Sequence, residues 1–283
     1  MLALPWIAIF LAAPTTSLFN LRWLGLALLT VGYGAALING QLGIVATLPI
    51  ALLALAAYAV SPQRKAYFRY LGHALYLILA IALCLHKLPG FQNVLVIDAQ
   101  RFTADAQPFT MYLNLDKPLA GFWLLLVLPW IRPVHDLLRA LKWGAACLLA
   151  TASIGFATAL LLGVVAWAPK LPSDSGIWLL NNLFLVTLTE EALFRGYIQG
   201  GLGRLLERHA HGATLALVIA SLLFGLAHAG GGWQMIVLAG IAGLGYGLAF
   251  QRGGLLAAWL THFGFNALHF FLFTYPLLEL AKH

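Results

Sequence analysis

The feature that most constrains this chain is a succession of long apolar runs, which follow one another from end to end with few charges inside them. A helix needs about 20 mainly apolar residues to cross a hydrocarbon core roughly 30 Å thick. The runs lie near residues 3–14, 22–38, 41–60, 70–86, 119–131, 143–168, 176–198, 213–229, 233–250 and 254–275. They predict an all-α, polytopic transmembrane bundle of roughly eight to ten segments, because isolated strands leave backbone groups unsatisfied in lipid.

Composition excludes a soluble globular protein. Of 283 residues, 62% are apolar and 9% charged, whereas soluble domains are about half apolar and about a quarter charged. The net charge of +7 does not predict nucleic-acid binding, because the basic residues form short clusters between apolar runs. Cys84 and Cys147 both lie in apolar segments, so neither a disulfide framework nor a thiolate zinc site is expected.

The distribution of basic residues predicts the orientation in a cell (plasma) membrane. When successive runs alternate sides, one side collects eleven Lys and Arg and the other five. The first set is Arg22, Arg64, Lys65, Arg69, Arg132, Arg139, Lys142, Arg195, Arg204, Arg208 and Arg252. The second set is Lys87, Arg101, Lys117, Lys170 and Lys282. By the positive-inside rule the first side is cytoplasmic, and loop 88–118 and the C-terminus face outward.

We predict one membrane domain with two regions. Residues 1–140 are interpreted as N-terminal transmembrane helices with an outer loop near 88–118, and residues 141–283 as the catalytic helical core. Within the polar stretch, residues 111–123 are interpreted as an ordinary outer loop, with a re-entrant or gating element as the alternative.

Seven side chains in the last third of the chain form the candidate site. An ionisable residue inside a lipid-spanning helix is costly and is by default a functional candidate. Counted from Arg204, Thr214 and Arg252 respectively, Glu190, His228 and His262 lie at depths of roughly 21, 21 and 15 Å, so we expect them to converge on one shared, water-accessible pocket. The full set is Glu190, Glu191, Arg195, Phe224, His228, His262 and Asn266.

Residue chemistry predicts a role for each group. Glu191 and Arg195 are four residues apart on a helix, which suits an ion pair, and Glu190 points elsewhere and stays free to act as a general base. His228 is expected to share the water with Glu190 and later protonate the leaving amine. His262 and Asn266, one turn apart, can donate hydrogen bonds to the developing oxyanion.

Three motifs occur in order on successive late segments: EEALFR fits EExxxR, FGLAH fits FxxxH, and HFGFN fits HxxxN. Over roughly residues 176–270 the chain resembles the CAAX prenyl endopeptidases and bacteriocin-processing enzymes, the CPBP or Abi family of intramembrane proteases. The resemblance implies that Glu190 and His228 activate water and that His262 and Asn266 form the oxyanion hole. Glu191 and Arg195 would give structural support, and Phe224 would shape the pocket.

Metal dependence is left open by the resemblance, since the family has also been described as metalloproteases. Glu190, His228 and His262 could supply a three-ligand zinc site, but HxxxN is not the usual HExxH signature. We favour a metal-free glutamic mechanism without a cofactor, with zinc as the alternative.

The predicted function is therefore an intramembrane endopeptidase of CAAX-protease type that acts on a membrane-associated or lipid-modified protein or peptide, with its active site reached from the cytoplasmic side. Prenylated CAAX tails, bacteriocin leaders and C-terminal sorting segments all remain possible substrates. A non-catalytic Abi-like immunity or scaffold protein would have lost one of the four catalytic positions, and all are present. A proton-coupled transporter would need a second, inverted polar set in the first half, where the sequence shows no intramembrane carboxylate.

Overall fold

The computed structural model describes residues 3–131 and 136–282, so Arg132 of the orientation count lies outside the described residues. Nine helices of this part follow the predicted apolar runs, which confirms the helical bundle. They are Leu4–Ser17 (α1), Arg22–Ile38 (α2), Thr47–Ala59 (α3), Ala66–Cys84 (α4), Lys117–Val127 (α5), Leu137–Leu161 (α6), Ser175–Leu205 (α7), Gly212–Ala227 (α8) and Trp233–Leu272 (α9).

Four helices, α4, α6, α7 and α9, are long and apolar enough to cross a membrane. The remaining apolar helices have 10–17 residues, which is short of the roughly 20 needed for a complete crossing. Large apolar side chains are widely exposed on the outer faces, for example Trp23 at 85% and Leu161 at 88%. Such faces need lipid rather than water as their solvent.

Helix α9 consists of two arms that meet at Gly254. This residue has φ 77° and ψ −171°, a conformation that glycine adopts without steric cost. On the first arm Gly245 faces Thr151 of α6, and Gly253, further along the arm, faces the earlier residue Ala140. On the second arm Gly264 faces Leu148, and Phe265 stacks on Phe156. Since the two arms run along α6 in opposite directions, the chain reverses at Gly254, and the prediction of two separate apolar segments here is confirmed.

The polar stretch 88–118 contains a β-hairpin that the sequence did not predict. Strands Val94–Gln100 (β1) and Phe109–Leu113 (β2) pair antiparallel, with Val94 opposite Leu113. Their inward side chains pack on Trp178 of α7 and Phe270 of α9. The interpretation of residues 111–123 as an ordinary outer loop is therefore wrong, because this segment contains the end of β2 and most of α5.

Helix α7 carries two stretches of π-helical turns, Asn181–Thr187 and Ala192–Gln199, on either side of the α-helical turn Leu188–Glu191. π-Helical turns are rare and occur frequently at functional sites. The widened turns lie next to the two glutamates of the candidate site. The largest cluster of buried apolar side chains joins α1–α5 to the same helix.

Candidate active site

Glu191 and Arg195 form the predicted ion pair. Arg195 Nε lies 3.1 Å from Glu191 Oε2, and both side chains are 0% exposed. The two terminal guanidinium nitrogens have no hydrogen-bond partner among the described residues. The guanidinium carbon lies 5.0 Å from the Phe224 ring centroid and 5.9 Å from that of Tyr246, a distance at which aromatic faces attract a cation.

His262 lies between the two glutamates. Its Nδ1 is 2.8 Å from Glu191 Oε1, and its Nε2 is 3.9 Å from Glu190 Oε2. The imidazole also stacks on Tyr246, with ring centroids 4.4 Å apart and planes inclined by 16°. Since a carboxylate accepts hydrogen bonds, Glu191 holds the ring with Nδ1–H toward itself. The Nε2 atom is thereby directed toward Glu190.

Glu190 is not free, contrary to the sequence-based expectation. Lys117 Nζ lies 2.5 Å from Glu190 Oε1. The lysine reaches the site because α5 begins at Lys117 beside the middle of α7, with Gly121 one turn later. A Cβ at Gly121 would lie 2.7 Å from Thr189 Cα, so the two helices touch at this point. The helix-start signal of Asp116 before Lys117 and Pro118 could have located this helix end, but not its depth.

Lys117 and Arg195 are consequently not loop charges, and the basic count becomes ten against four (11 − 1 and 5 − 1). The same side of the bundle is therefore still predicted to be cytoplasmic. Asp116, in the first half of the chain, is a buried carboxylate that is only 1% exposed. It accepts hydrogen bonds from the Lys117 backbone and from Asn93, and lies 2.7 Å from His86 Nδ1.

His228 lies at the C-terminal end of α8. Its Nδ1 lies 2.8 Å from the carbonyl oxygen of Phe224, so Nδ1 donates to that carbonyl and Nε2 is left available for chemistry. The Phe224 ring is 4.7 Å from the His228 ring and 5.6 Å from the His262 ring, centroid to centroid. Phe224 therefore separates the two histidines and shapes the space between them.

Asn266 binds a residue that the sequence analysis missed. Its Nδ2 donates to Oδ1 of Asn182, 3.3 Å away. Asn182 and its neighbour Asn181 belong to the first π-helical stretch of α7 and are both buried. Polar residues at this position in an apolar run were a usable signal, because buried amides are costly without hydrogen bonds.

A cavity of about 110 Å³, called here the histidine cavity, brings three of the four predicted catalytic residues together. Among the described residues that line it are Phe224, His228, Tyr246, His262, Asn266 and His269. Glu190 is not one of these lining residues; it lies behind His262. Three of the predicted residues thus share one cavity, and the fourth, Glu190, lies 3.9 Å from the imidazole of His262.

A second space, called here the hairpin cavity, lies between the hairpin and α7 and has a volume of about 520 Å³. Asn181, Asn182 and Val186 of α7 form one wall, and Val186 precedes Glu190 by about one helical turn. The Tyr275 hydroxyl, which accepts from Trp178 Nε1, also lines the cavity. Burial raises the pKa of Tyr275 to about 12, so this hydroxyl is neutral at physiological pH.

The arranged donor set does not fit a zinc ion. A zinc ion bound by Glu190 would lie about 2.0–2.2 Å from a carboxylate oxygen. The ammonium of Lys117 already lies 2.5 Å from Glu190 Oε1. A dication would have to displace this like charge. In the part of the chain that the structure describes, no group of three or more His, Cys, Asp or Glu is placed to hold a metal.

Comparison with known protein families finds a match in the later part of the chain. Residues 172–268 match the family described as "Type II CAAX prenyl endopeptidase Rce1-like". The matched region includes Glu190, His228, His262 and Asn266, and confirms the family resemblance of the three motifs. No curated protein and no solved structure matches the chain.

Proposed function

We propose that this chain, which matches the CAAX prenyl endopeptidase family over residues 172–268, is an intramembrane endopeptidase of a membrane-associated or lipid-modified protein or peptide. The observation that carries the proposal is the position of His262 between Glu190 and Glu191. This arrangement places a carboxylate beside an oriented imidazole, with a gap for a water molecule between Glu190 and His262. A 3.9 Å separation is too long for a direct hydrogen bond but can be bridged by one water molecule.

In the proposed mechanism, Glu190 is the general base. Its Oε1 is held by Lys117, and its Oε2 faces His262 and takes one proton from the attacking water. The water oxygen forms a bond to the scissile carbonyl carbon, and the carbonyl oxygen becomes an oxyanion. His262 Nε2 can donate a hydrogen bond to this oxyanion only when it carries a proton. The ring must then hold two protons, one on Nε2 and one on Nδ1 toward Glu191.

Collapse of the tetrahedral intermediate breaks the C–N bond. The leaving amine takes the proton that Glu190 received, through His228, whose Nε2 is the unoccupied ring nitrogen. Asn266 donates a second hydrogen bond to the oxyanion through the Nδ2–H that does not bind Asn182. Such donors typically contribute about 2.7–4 kcal/mol to transition-state stabilisation.

The side of substrate entry is a separate proposal. The basic residues predict a cytoplasmic entrance, but the histidine cavity is lined by Val165 and Leu277. Leu277 is at the hairpin end of the bundle, since its carbonyl accepts from Gln107 N at 2.9 Å. This lining favours entry from the hairpin end, and reporter fusions to loop 88–118 would decide which compartment that end faces.

The test is a cleavage assay on purified protein in nanodiscs. The peptides are an S-farnesylated CAAX peptide, its unprenylated counterpart, a bacteriocin leader peptide and a single-span peptide with a C-terminal sorting segment. We expect the wild type to hydrolyse at least one of them and Glu190→Gln to hydrolyse none. Absence of cleavage across the whole panel, or equal cleavage by both proteins, would contradict the proposal.

A further inference from the structure

The hairpin cavity has a strand edge as one wall. Phe109, Thr110, Met111 and Tyr112, which are consecutive in β2, all line it, followed by Asn114. Successive side chains of a strand point to opposite faces, so a cavity that touches four in a row lies along the edge of the strand. Among the described residues β2 pairs only with β1, and its other edge is unpaired. An unpaired edge offers backbone N–H and C=O groups to an added strand.

The opposite wall supplies buried side-chain amides. Asn181 and Asn182 are 6% and 8% exposed, and both line the cavity. The Asn181 amide makes no hydrogen bond to any described residue, and Asn182 uses only its oxygen, toward Asn266. Among the described residues neither asparagine has a fully buried amide atom without a partner, so the unbonded amide groups open onto the cavity, where a ligand can reach them. An amide that both donates and accepts complements a peptide backbone.

Residues of both walls lie close in the chain to Glu190 or to its partner Lys117. On α7, Val186 lines the cavity about one turn before Glu190. On the hairpin side, Asn114 lines the cavity three residues before Lys117, which pairs with Glu190. The Asn182 to Asn266 hydrogen bond joins the lining of the hairpin cavity to that of the histidine cavity. A ligand in the hairpin cavity would therefore lie directly beside the candidate active site.

We propose that the hairpin cavity binds an extended segment of the peptide substrate, which pairs with the free edge of β2 as a third strand and hydrogen-bonds Asn181 and Asn182. The inference rests on the proposed function and names the substrate conformation that the site accepts. A lipid chain would leave the Asn181 amide and Nδ2 of Asn182 without partners, at a desolvation cost. A helical segment already satisfies its own backbone groups and cannot pair with a strand edge.

The volume agrees with such an occupant. About 520 Å³ lies within the roughly 300–1,000 Å³ of typical ligand pockets. Backbone pairing gives affinity that depends little on sequence, and alternate side chains give what specificity there is. A substrate helix would have to unwind before its scissile bond could reach Glu190.

The test uses an N-methyl scan of a labelled probe peptide. Fluorescein-labelled S-farnesyl CAAX peptides and their unprenylated counterparts, each with one backbone amide N-methylated, are titrated into Glu190→Gln protein in nanodiscs, and binding is followed by anisotropy. Only every second amide of an added antiparallel strand faces its neighbour. We expect binding to weaken about tenfold at alternate positions and to change little between them. A flat scan, or no detectable binding of any probe, would overturn the proposal.

A protein variant gives an independent arm. Asn181→Leu in the Glu190→Gln background keeps similar volume but removes the amide, and we expect binding about tenfold weaker. The matched control is Leu180→Ala in the same background, at the position before Asn181, where the side chain is 43% exposed. It should bind the probe within about twofold of the Glu190→Gln protein. Equal binding by Asn181→Leu and the control would count against the site. The scan needs no change at Asn181, so it remains decisive if Asn181→Leu does not fold.

Failure of this proposal is distinguishable from failure of the proposed function. If the wild type cleaves a probe, Glu190→Gln does not, and the scan is flat, the peptide site is wrong and the protease assignment stands. If no peptide of the cleavage panel is hydrolysed but binding alternates along the probe, the peptide site stands and the protease assignment fails.

Discussion

Lys117 Nζ lies 2.5 Å from Oε1 of Glu190. The lysine begins α5, outside the family-matched residues 172–268, whereas the glutamate is the proposed general base within them. The contact ties the N-terminal helices to the chemistry of the C-terminal half. It also fixes which carboxylate oxygen is free, because Oε2 alone faces His262.

Replacing the lysine tests this pairing. Lys117→Met removes one partner of a largely buried ion pair, and breaking such a pair costs about 3–5 kcal/mol because the other charge stays uncompensated. We expect a lower unfolding temperature and a large loss of cleavage, with substantial retention of both in Lys117→Arg. The double variant Lys117→Met/Glu190→Gln should recover stability but not activity. A double variant no more stable than Lys117→Met would contradict the pairing.

The buried guanidinium of Arg195 gives a second prediction. Arg195→Met leaves Glu191 charged and buried, so we expect a destabilisation of about 3–5 kcal/mol, measured by chemical unfolding in mixed micelles. Adding Glu191→Gln removes the remaining charge and should restore part of the stability. The amide oxygen can still accept from His262 Nδ1, but the charge that stabilises a second proton on the ring is lost, so activity should not return with it. Recovery of cleavage in the double variant would show that His262 does not need the charge of Glu191.

A third prediction concerns the contact between α5 and α7. In Gly121→Ala the added Cβ would lie 2.7 Å from Thr189 Cα, which is backbone and cannot rotate away. Overpacking of this kind costs about 1–3 kcal/mol and should displace Lys117, one turn earlier, from Glu190. We expect lower thermal stability together with reduced cleavage.

The matched control for Gly121→Ala is Gly34→Ala in α2, where an added Cβ meets no atom within 4 Å. It should be neutral or slightly stabilising, since alanine is favoured over glycine in helices by about 1 kcal/mol. Equal effects of the two substitutions would show that the contact of α5 with Thr189 does not position the lysine.

Metal dependence provides a fourth prediction. The positive charge of Lys117 beside Glu190 would repel a zinc ion bound to that carboxylate. We therefore expect 1,10-phenanthroline and EDTA to leave the cleavage rate unchanged. Loss of activity with a chelator, restored by added zinc, would contradict the metal-free mechanism and require Lys117 to move aside.

The helices and the ion pair of the site could be predicted from the sequence, because both depend on local spacing. Apolar runs located α1 to α9, including the interruption at Gly254, and the four-residue spacing predicted the pair of Glu191 with Arg195. The hairpin was missed because its short strands lie in a polar stretch with no apolar run long enough to stand out.

Pairings between distant segments could not be predicted. Lys117 is 73 positions from Glu190, and Asn182 is 84 from Asn266. Each contact depends on how far one helix enters the bundle and which face it turns to its neighbour. Those quantities are set by packing, such as the approach of Gly121 to Thr189, rather than by residue spacing.

The most direct test of the account is the single-turnover cleavage rate of wild type and Glu190→Gln on whichever peptide the wild type hydrolyses, with Lys117→Met/Glu190→Gln as a control for folding. A positioned general base contributes about 10²- to 10⁴-fold, so the rate should fall by that factor while both variants keep a cooperative thermal transition. A folded Glu190→Gln protein that cleaves at the wild-type rate would contradict the assignment of Glu190 as the general base.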